Sequence, residues 1–288
     1  MQKHIEEISL ALSNNNLDRS SWHSATGPVD IPMTNDYLFR ALMQRNNKVL
    51  KGLICSLLHM TSEEITSVKI TNPIELGKSM DEKTFMLDVK VVLNESTFIN
   101  IEMQVINKYD WPERSLSYLC RSFDNLHPRE KYLNVRPVIQ IGLLDFTLFK
   151  DYPEFYSTYQ FLNVKSYTLY SDKLRLSVLN LTRIDLATNE DKRYQIDYWA
   201  SLFKSTTWEE LQMLEQNNEY IEEAVATIYQ VSQEENIRLQ CEAREDYYRQ
   251  QKDVEYVIEK LASENQKLIS ENEKLLAWAR AHGYELEL

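Results

Sequence analysis

Glycine is scarce, with five in 288 residues. Loops that cradle phosphates or dinucleotides need backbone without a Cβ, and none of these five builds one. That excludes nucleotide-driven motors and Rossmann-type chemistry, and with them a nucleotide cofactor. Cysteine numbers three. Cys55, Cys120 and Cys241 lie far apart with no C-x-x-C pair, so neither a zinc ribbon nor a disulfide framework is expected, and a reducing cytoplasm suits the chain. No stretch approaches the ~20 apolar residues that cross a bilayer. Residues 1–16 lack the basic region, apolar block and small-residue cleavage site of a secretory signal, so no membrane partner is expected. The five histidines are scattered with no two at metal-ligand spacing, and there is no G-x-S-x-G nucleophile elbow.

Positive charge is also in deficit: 32 Lys and Arg stand against 44 Asp and Glu, a net −12. Such a balance argues against nucleic-acid binding until its placement is considered. Residues 205–288 carry 19 acids and 8 bases, leaving 25 and 24 for the rest. The first two thirds are therefore close to neutral and the tail holds the acidity. A neutral body predicts weak non-specific DNA affinity with a shallow salt dependence.

The organisation along the chain is that of an α/β protein with a mixed sheet and a helical tail. Residues 1–30, with Asn14-Asn15-Asn16, Ser20-Ser21 and Gly27-Pro28, show little periodicity and read as a loose arm. Thr34 or Asn35 is placed to cap a helix over residues 36–60, with Leu38, Leu42, Val49, Leu50, Leu53, Ile54 and Leu57 at helical spacing. Residues 68–74 read as a strand. Asp110-Trp111-Pro112-Glu113 reads as a helix start, with a capping acid and proline in the first turn. The apolar run 137–149 reads as a buried central strand, and 155–163, 166–170 and 173–181 as further strands. Helices are expected over 192–204 and from Trp208 onward. In the tail, Val254, Leu261, Leu268 and Leu275 recur every seven residues, with Ile258, Asn265, Asn272 and Ala279 four after each. This is a heptad over 251–279 with two Asn at a positions, which would select register in a parallel dimer. The same stripe would also serve to pack back on the body. The division expected is 1–30, 31–205 and 206–288.

The densest signal is a hairpin. Residues 85–93 and 97–106 are rich in β-branched and apolar side chains, and Asn94-Glu95-Ser96 between them is a turn cluster. Side chains alternate faces along a strand, so parity decides which residues meet. Asp88, Glu102 and Gln104 share even parity. A register pairing Asp88 with Glu102 leaves a three-residue loop, and one pairing it with Gln104 a slightly longer one. Leu87, Val89, Val91, Ile101, Met103 and Val105 fall on the opposite, apolar face. Two carboxylates on neighbouring strands repel unless a cation lies between them, and hard oxygen donors suit Mg²⁺ or Mn²⁺.

The series Leu87-Asp88-Val89, a turn, then Asn100-Ile101-Glu102-Met103-Gln104 resembles the core of the PD-(D/E)XK nuclease superfamily. The wording is similar to its recombination-promoting nuclease branch, the PD-(D/E)XK nuclease family transposases. The likeness extends over roughly residues 30–250, from Met33-Thr34-Asn35-Asp36-Tyr37-Leu38-Phe39 through the Arg114 to Tyr118 helix and the strand 138–149 to the helix 224–248. It implies a restriction-endonuclease-like αβββαβ core with a long, coiled-coil-like helical extension. It also implies a metal-dependent DNA endonuclease linked to recombination or mobile elements. Mg²⁺, with Mn²⁺ as substitute, would be held by Asp88, Glu102 and the Met103 carbonyl, and Gln104 would orient the attacking water. Leu87 replaces the proline of the family pattern and Gln104 its lysine; glutamine hydrogen-bonds but carries no charge. Lys83 or Lys90 would supply that charge, or either is a solvated surface lysine. Asp36 reads as a residue beside the centre or as a plain helix-start acid. Glu75 reads as a further ligand or a loop acid. Arg114, Tyr118 and Arg121 share a helix face, either for DNA phosphate or as surface partners of Glu113 and Asp124. The partners implied are DNA and a second copy through residues 251–279. An RNA-directed nuclease would use the same site. The non-enzymatic alternative is a nuclease fold with little activity, kept as a coiled-coil interaction module.

Overall fold

The computed structural model describes residues 22–74, 76, 88–216 and 218–282. Lys83, Glu75 and Leu87, and with them the start of the expected strand at 85, lie outside the described residues. Two compact units divide at Arg244 and Glu245.

The first unit is built on a six-stranded mixed sheet of order β1-β2-β3-β4-β6-β5. β1 (Val68–Ile70), β2 (Val89–Leu93) and β3 (Thr97–Gln104) form an antiparallel meander. Helix α3 (Trp111–Phe123) then carries the chain to β4 (Val138–Leu144), parallel to β3. β6 (Leu174–Asn180) adds in parallel, and β5 (Tyr156–Tyr159) closes the edge antiparallel to β6. All seven residues of β4 are buried, as a strand covered on both faces requires.

Parity sorts the two faces. Val89, Val91, Ile99, Ile101, Met103, Ile139, Ile141 and Leu143 enter the main core. That core is shared with α1 (Asp36–Arg45), α2 (Asn47–Leu58), α5 (Ile196–Lys204), α6 (Trp208–Glu215), α7 (Glu219–Gln233) and the first turns of α8 (Glu235–Ala281). A short α4 (Asn189–Arg193) leads into α5. On the even face a smaller apolar cluster of Trp111, Leu119, Val138, Leu144, Leu176 and Val178 seats α3. Helices thus cover both sides, but on the even face α3 covers only part of the sheet, beside the polar even positions of β2 and β3.

The expected helix over 36–60 is two helices. Asn46 sits in extended backbone (φ −130°, ψ 102°), and its side chain accepts from the backbone N–H groups of Lys48 and Val49 to cap α2. Its amide also donates to Thr227 of α7 at 2.9 Å. Apolar spacing continues across the break because both helices face one core, so periodicity alone merges them. Residues 166–170 are not a strand; Leu162 and Leu169 form an isolated bridge within an exposed loop. Asp110 precedes α3 but its side chain makes no capping bond. The helix 192–204 is likewise split between α4 and α5.

Gly142 fixes the seat of α3. It pairs with Glu102 across the β3–β4 ladder, and a Cβ there would lie 2.2 Å from a ring carbon of buried Trp111. Gly142→Ala is expected to cost about 3 kcal/mol through overpacking; the shift of the urea midpoint measures it.

Candidate functional site

The hairpin register runs Val89 to Ile101, Lys90 to Asn100 and so on to Leu93 with Thr97. Asn94 and Glu95 both adopt positive φ, 48° and 58°, which closes the three-residue loop. Asn94 tolerates that conformation and anchors it by accepting from the N–H groups of Thr66 and Ser67. This is the shorter of the two expected registers; the ladder ends at Val89 and Ile101, and continuing its register one residue aligns Asp88, just before β2, with Glu102. Asp88, Lys90, Asn100, Glu102 and Gln104 thus share the polar part of the even face.

Asp88 is held through its backbone. Its carbonyl accepts from Arg40 Nη1 at 2.6 Å and from the Asn72 amide at 3.0 Å, while Asn72 Oδ1 accepts from the Lys90 N–H at 2.9 Å. Arg40 is fully buried and also donates to the Asn72 carbonyl. Burial pulls the Arg40 guanidinium below its ordinary range, and the negative charge of Asp88 opposes that. The Asp88 side chain is nearly buried, with Oδ2 3.6 Å from Lys90 Nζ and Oδ1 buried without a hydrogen-bond partner among the described residues.

Glu102 Oε1 lies 3.2 Å from Arg114 Nη2. Its Oε2 is buried and, among the described residues, has no hydrogen-bond partner. Burial raises the Glu102 carboxyl to about 7; Arg114 pulls it down, while Asp88, Asp36 and Asp110 push it further up. Gln104 is committed at both ends: Nε2 donates to the Ile106 carbonyl at 2.6 Å and Oε1 accepts from Arg114 Nη2 at 2.7 Å. In this arrangement Gln104 anchors the Arg114 guanidinium. Tyr118, one turn on, has its hydroxyl pKa raised by burial and then by the Glu102 charge. Arg121 is exposed further along the helix. Glu113 and Asp124 do not pair with Arg114, because its guanidinium turns to β3 instead.

Asp36 stands close enough to add to the negative field on Glu102, yet its carboxylate is gripped by Arg244. Arg244 Nε donates to Asp36 Oδ1 at 2.9 Å, and Nη2 donates to Oδ2. Asn35 caps α1 and its amide reaches the Cys241 carbonyl at 3.0 Å. Met103 points its side chain into the main core, leaving only its backbone toward the site. Arg40, Asn72 and Arg244 were not singled out by sequence. Arg40 left one trace, a cation inside the apolar run Tyr37 to Leu42. Asn72 and Arg244 left none, since their partners lie 16 and 208 residues away.

Among the described residues no group of three His, Cys, Asp or Glu side chains is spaced to hold a metal. The pair Asp88 and Glu102, each with one buried unsatisfied oxygen, is nonetheless a hard-donor set that fits a small divalent cation. Because Glu102 ionises near pH 7 in the fold and near 4.5 when unfolded, the native state binds more protons in that window. Its contribution therefore lowers stability as pH rises from 4.5 to 7 in metal-free protein. Glu102→Gln is expected to equal wild type near pH 4.5 and exceed it by about 2 kcal/mol at pH 8 in EDTA, as read by urea unfolding at the two pH values.

A family model described as PD-(D/E)XK nuclease family transposase matches residues 33–260. No curated protein and no solved structure matches the chain.

Proposed function

The chain belongs to the PD-(D/E)XK nuclease family transposases, and from that premise we propose that it is a metal-dependent endonuclease that hydrolyses DNA phosphodiester bonds. The observation that carries this reading is that Asp88, immediately before β2, and Glu102 of β3 lie within electrostatic reach of each other, each with a buried carboxylate oxygen left without a partner among the described residues. Leaving such groups unpaired is costly, and a divalent cation, Mg²⁺ or Mn²⁺, answers both at once. Asp88, Glu102 and the Met103 carbonyl would hold it. Bound there, it would supply a water of lowered pKa and offset the charge that builds on the phosphate.

The remaining roles belong to the chain itself. Arg40 and Asn72 fix the start of β2 so that Asp88 does not swing away from Glu102. Arg114 and Tyr118 present donors to the DNA backbone beside the acids, and Arg121 extends the cationic face of α3. Lys90 offsets the Asp88 charge. Asp36 acts at a distance, its carboxylate locked by Arg244. Hydrolysis leaving a 5′-phosphate and a 3′-hydroxyl, and a link to recombination or mobile elements, follow from the family reading. The three widely spaced cysteines, with no C-x-x-C pair, support a reducing, cytoplasmic setting. Among the described residues, no helix is long and apolar enough to cross a membrane.

A second copy of the chain is the proposed partner of residues 251–279. Taken by itself, the second unit exposes its heptad stripe: Val254 55%, Ile258 60%, Leu261 53%, Leu268 55% and Leu275 63%. A row of half-exposed aliphatics at seven-residue spacing is stabilised by a matching helix. The same stripe supports the alternative in which the fold serves chiefly as a dimerisation module.

Purified protein is expected to nick supercoiled plasmid in Mg²⁺ or Mn²⁺ and not in EDTA. Asp88→Ala and Glu102→Ala should each lower the rate by at least about a hundredfold, and cleavage surviving both would sink the assignment. Separately, wild type is expected to sediment as a dimer and Leu261→Asp/Leu268→Asp as a folded monomer, by analytical ultracentrifugation. A monomeric wild type would leave the heptads without this role.

A further inference from the structure

Arg114 stands at an unusual junction. A single nitrogen, Nη2, lies 2.7 Å from Gln104 Oε1 and 3.2 Å from Glu102 Oε1. Its Nε is buried and, among the described residues, has no hydrogen-bond partner. The guanidinium carbon sits 5.3 Å from the centre of the Trp111 ring, and Trp111 is locked against the bare backbone of Gly142, which pairs with Glu102. The base of the arginine is therefore rigid while part of its donor fork is unspent. A buried carboxylate without a counter-charge is strongly disfavoured, so this cation is what lets Glu102 ionise when nothing else is bound.

We propose that Arg114 is the exchangeable counter-cation of Glu102. It neutralises Glu102 in the empty site and yields that carboxylate to an incoming divalent cation. The Gln104 amide, itself pinned on the Ile106 carbonyl, then keeps the freed guanidinium beside the acids, where its fork takes a DNA phosphate oxygen. Gln104 is on this account a positioning residue, and Arg114 the group that couples loading of the cation to gripping of the substrate. The inference rests on the metal-dependent reading above. The geometry distinguishes it from a plain salt bridge. A structural pair would direct the fork at the carboxylate alone, whereas here the shorter bond is to the neutral amide and a donor is held in reserve.

The test uses the full chain in metal-stripped buffer, with Mn²⁺ binding read by calorimetry. Affinity for a short labelled duplex is read in parallel by anisotropy in Ca²⁺. With pH raised until Mn²⁺ affinity no longer changes, so that protons do not compete for Glu102, Arg114→Met is expected to bind Mn²⁺ roughly fivefold tighter, since a competing charge is gone. The same variant should bind the duplex about tenfold more weakly, with a salt slope shallower by about one. Gln104→Met should leave Mn²⁺ affinity within about twofold of wild type and weaken the duplex as Arg114→Met does. Arg114→Lys, which keeps the charge and the packing along Trp111, should retain wild-type Mn²⁺ affinity but not the duplex affinity, because the fork is lost. Asp88→Ala, which should abolish Mn²⁺ binding, reports on the parent reading. If wild type binds Mn²⁺ and Asp88→Ala does not, while Arg114→Met binds it no more tightly than wild type, the exchange is overturned and the nuclease reading stands. If duplex affinity is unchanged in Arg114→Met, the phosphate role is overturned. If wild type binds no Mn²⁺, the metal-dependent reading fails and the exchange with it.

Discussion

Negative charge held against a sheet face is the constraint around which the rest of this structure is arranged. Asp88 and Asp36 both lie within electrostatic reach of Glu102, and all three are largely withdrawn from water. Repulsion among them would splay the hairpin or force protonation unless cations were supplied by the fold. Lys90 and Arg114 face Asp88 and Glu102, and Arg244 grips Asp36 with two hydrogen bonds. Arg40, entirely buried, serves the Asp88 backbone instead of its carboxylate. The pairings draw on α1, β2, β3, α3 and the start of α8, so the site exists only in the assembled first unit.

The neutralisation is incomplete in an informative way. One oxygen each of Asp88 and Glu102 stays buried without a partner, and burial holds the Glu102 carboxyl up near pH 7. Other buried atoms, Asn100 Oδ1 and Gln140 Nε2 among them, also lack a partner among the described residues; what sets this pair apart is that two carboxylates on neighbouring strands share the feature, which supports reading them as one site. Membership in a nuclease family gives that reading its chemistry. The near-neutral charge of the body and the acidity of the tail mean that DNA affinity would come from a few placed groups on α3 rather than from a broad basic field.

Much of this was legible in order along the chain. The hairpin parity follows from period-two alternation, the three-residue loop from turn chemistry and the burial of 138–144 from an unbroken apolar run, all of them local signals. The αβββαβ reading came by resemblance and is met by a mixed sheet with a parallel β3–β4 crossing. Where reading failed, the cause is equally physical. Asn46 interrupts a helix that apolar spacing runs straight through, because two helices facing one core keep a common stripe. The strand expected at 166–170 turns back on residues 161–163 in a single bridge and does not extend into a ladder. Asp110 precedes α3 without capping it.

The sequence by itself determined which side chains share a face of the hairpin, since alternation is a property of the strand backbone alone. It also determined the heptad stripe of 251–279, set by helical spacing. Only the tertiary structure decided which cation meets which acid. That Arg114 turns from its own helix neighbours to Gln104 and Glu102, and that Arg244 reaches back to Asp36 across 208 residues, depends on how helices are laid on the sheet. Long side chains reach the nearest uncompensated charge in space, and no spacing rule along the chain encodes that choice.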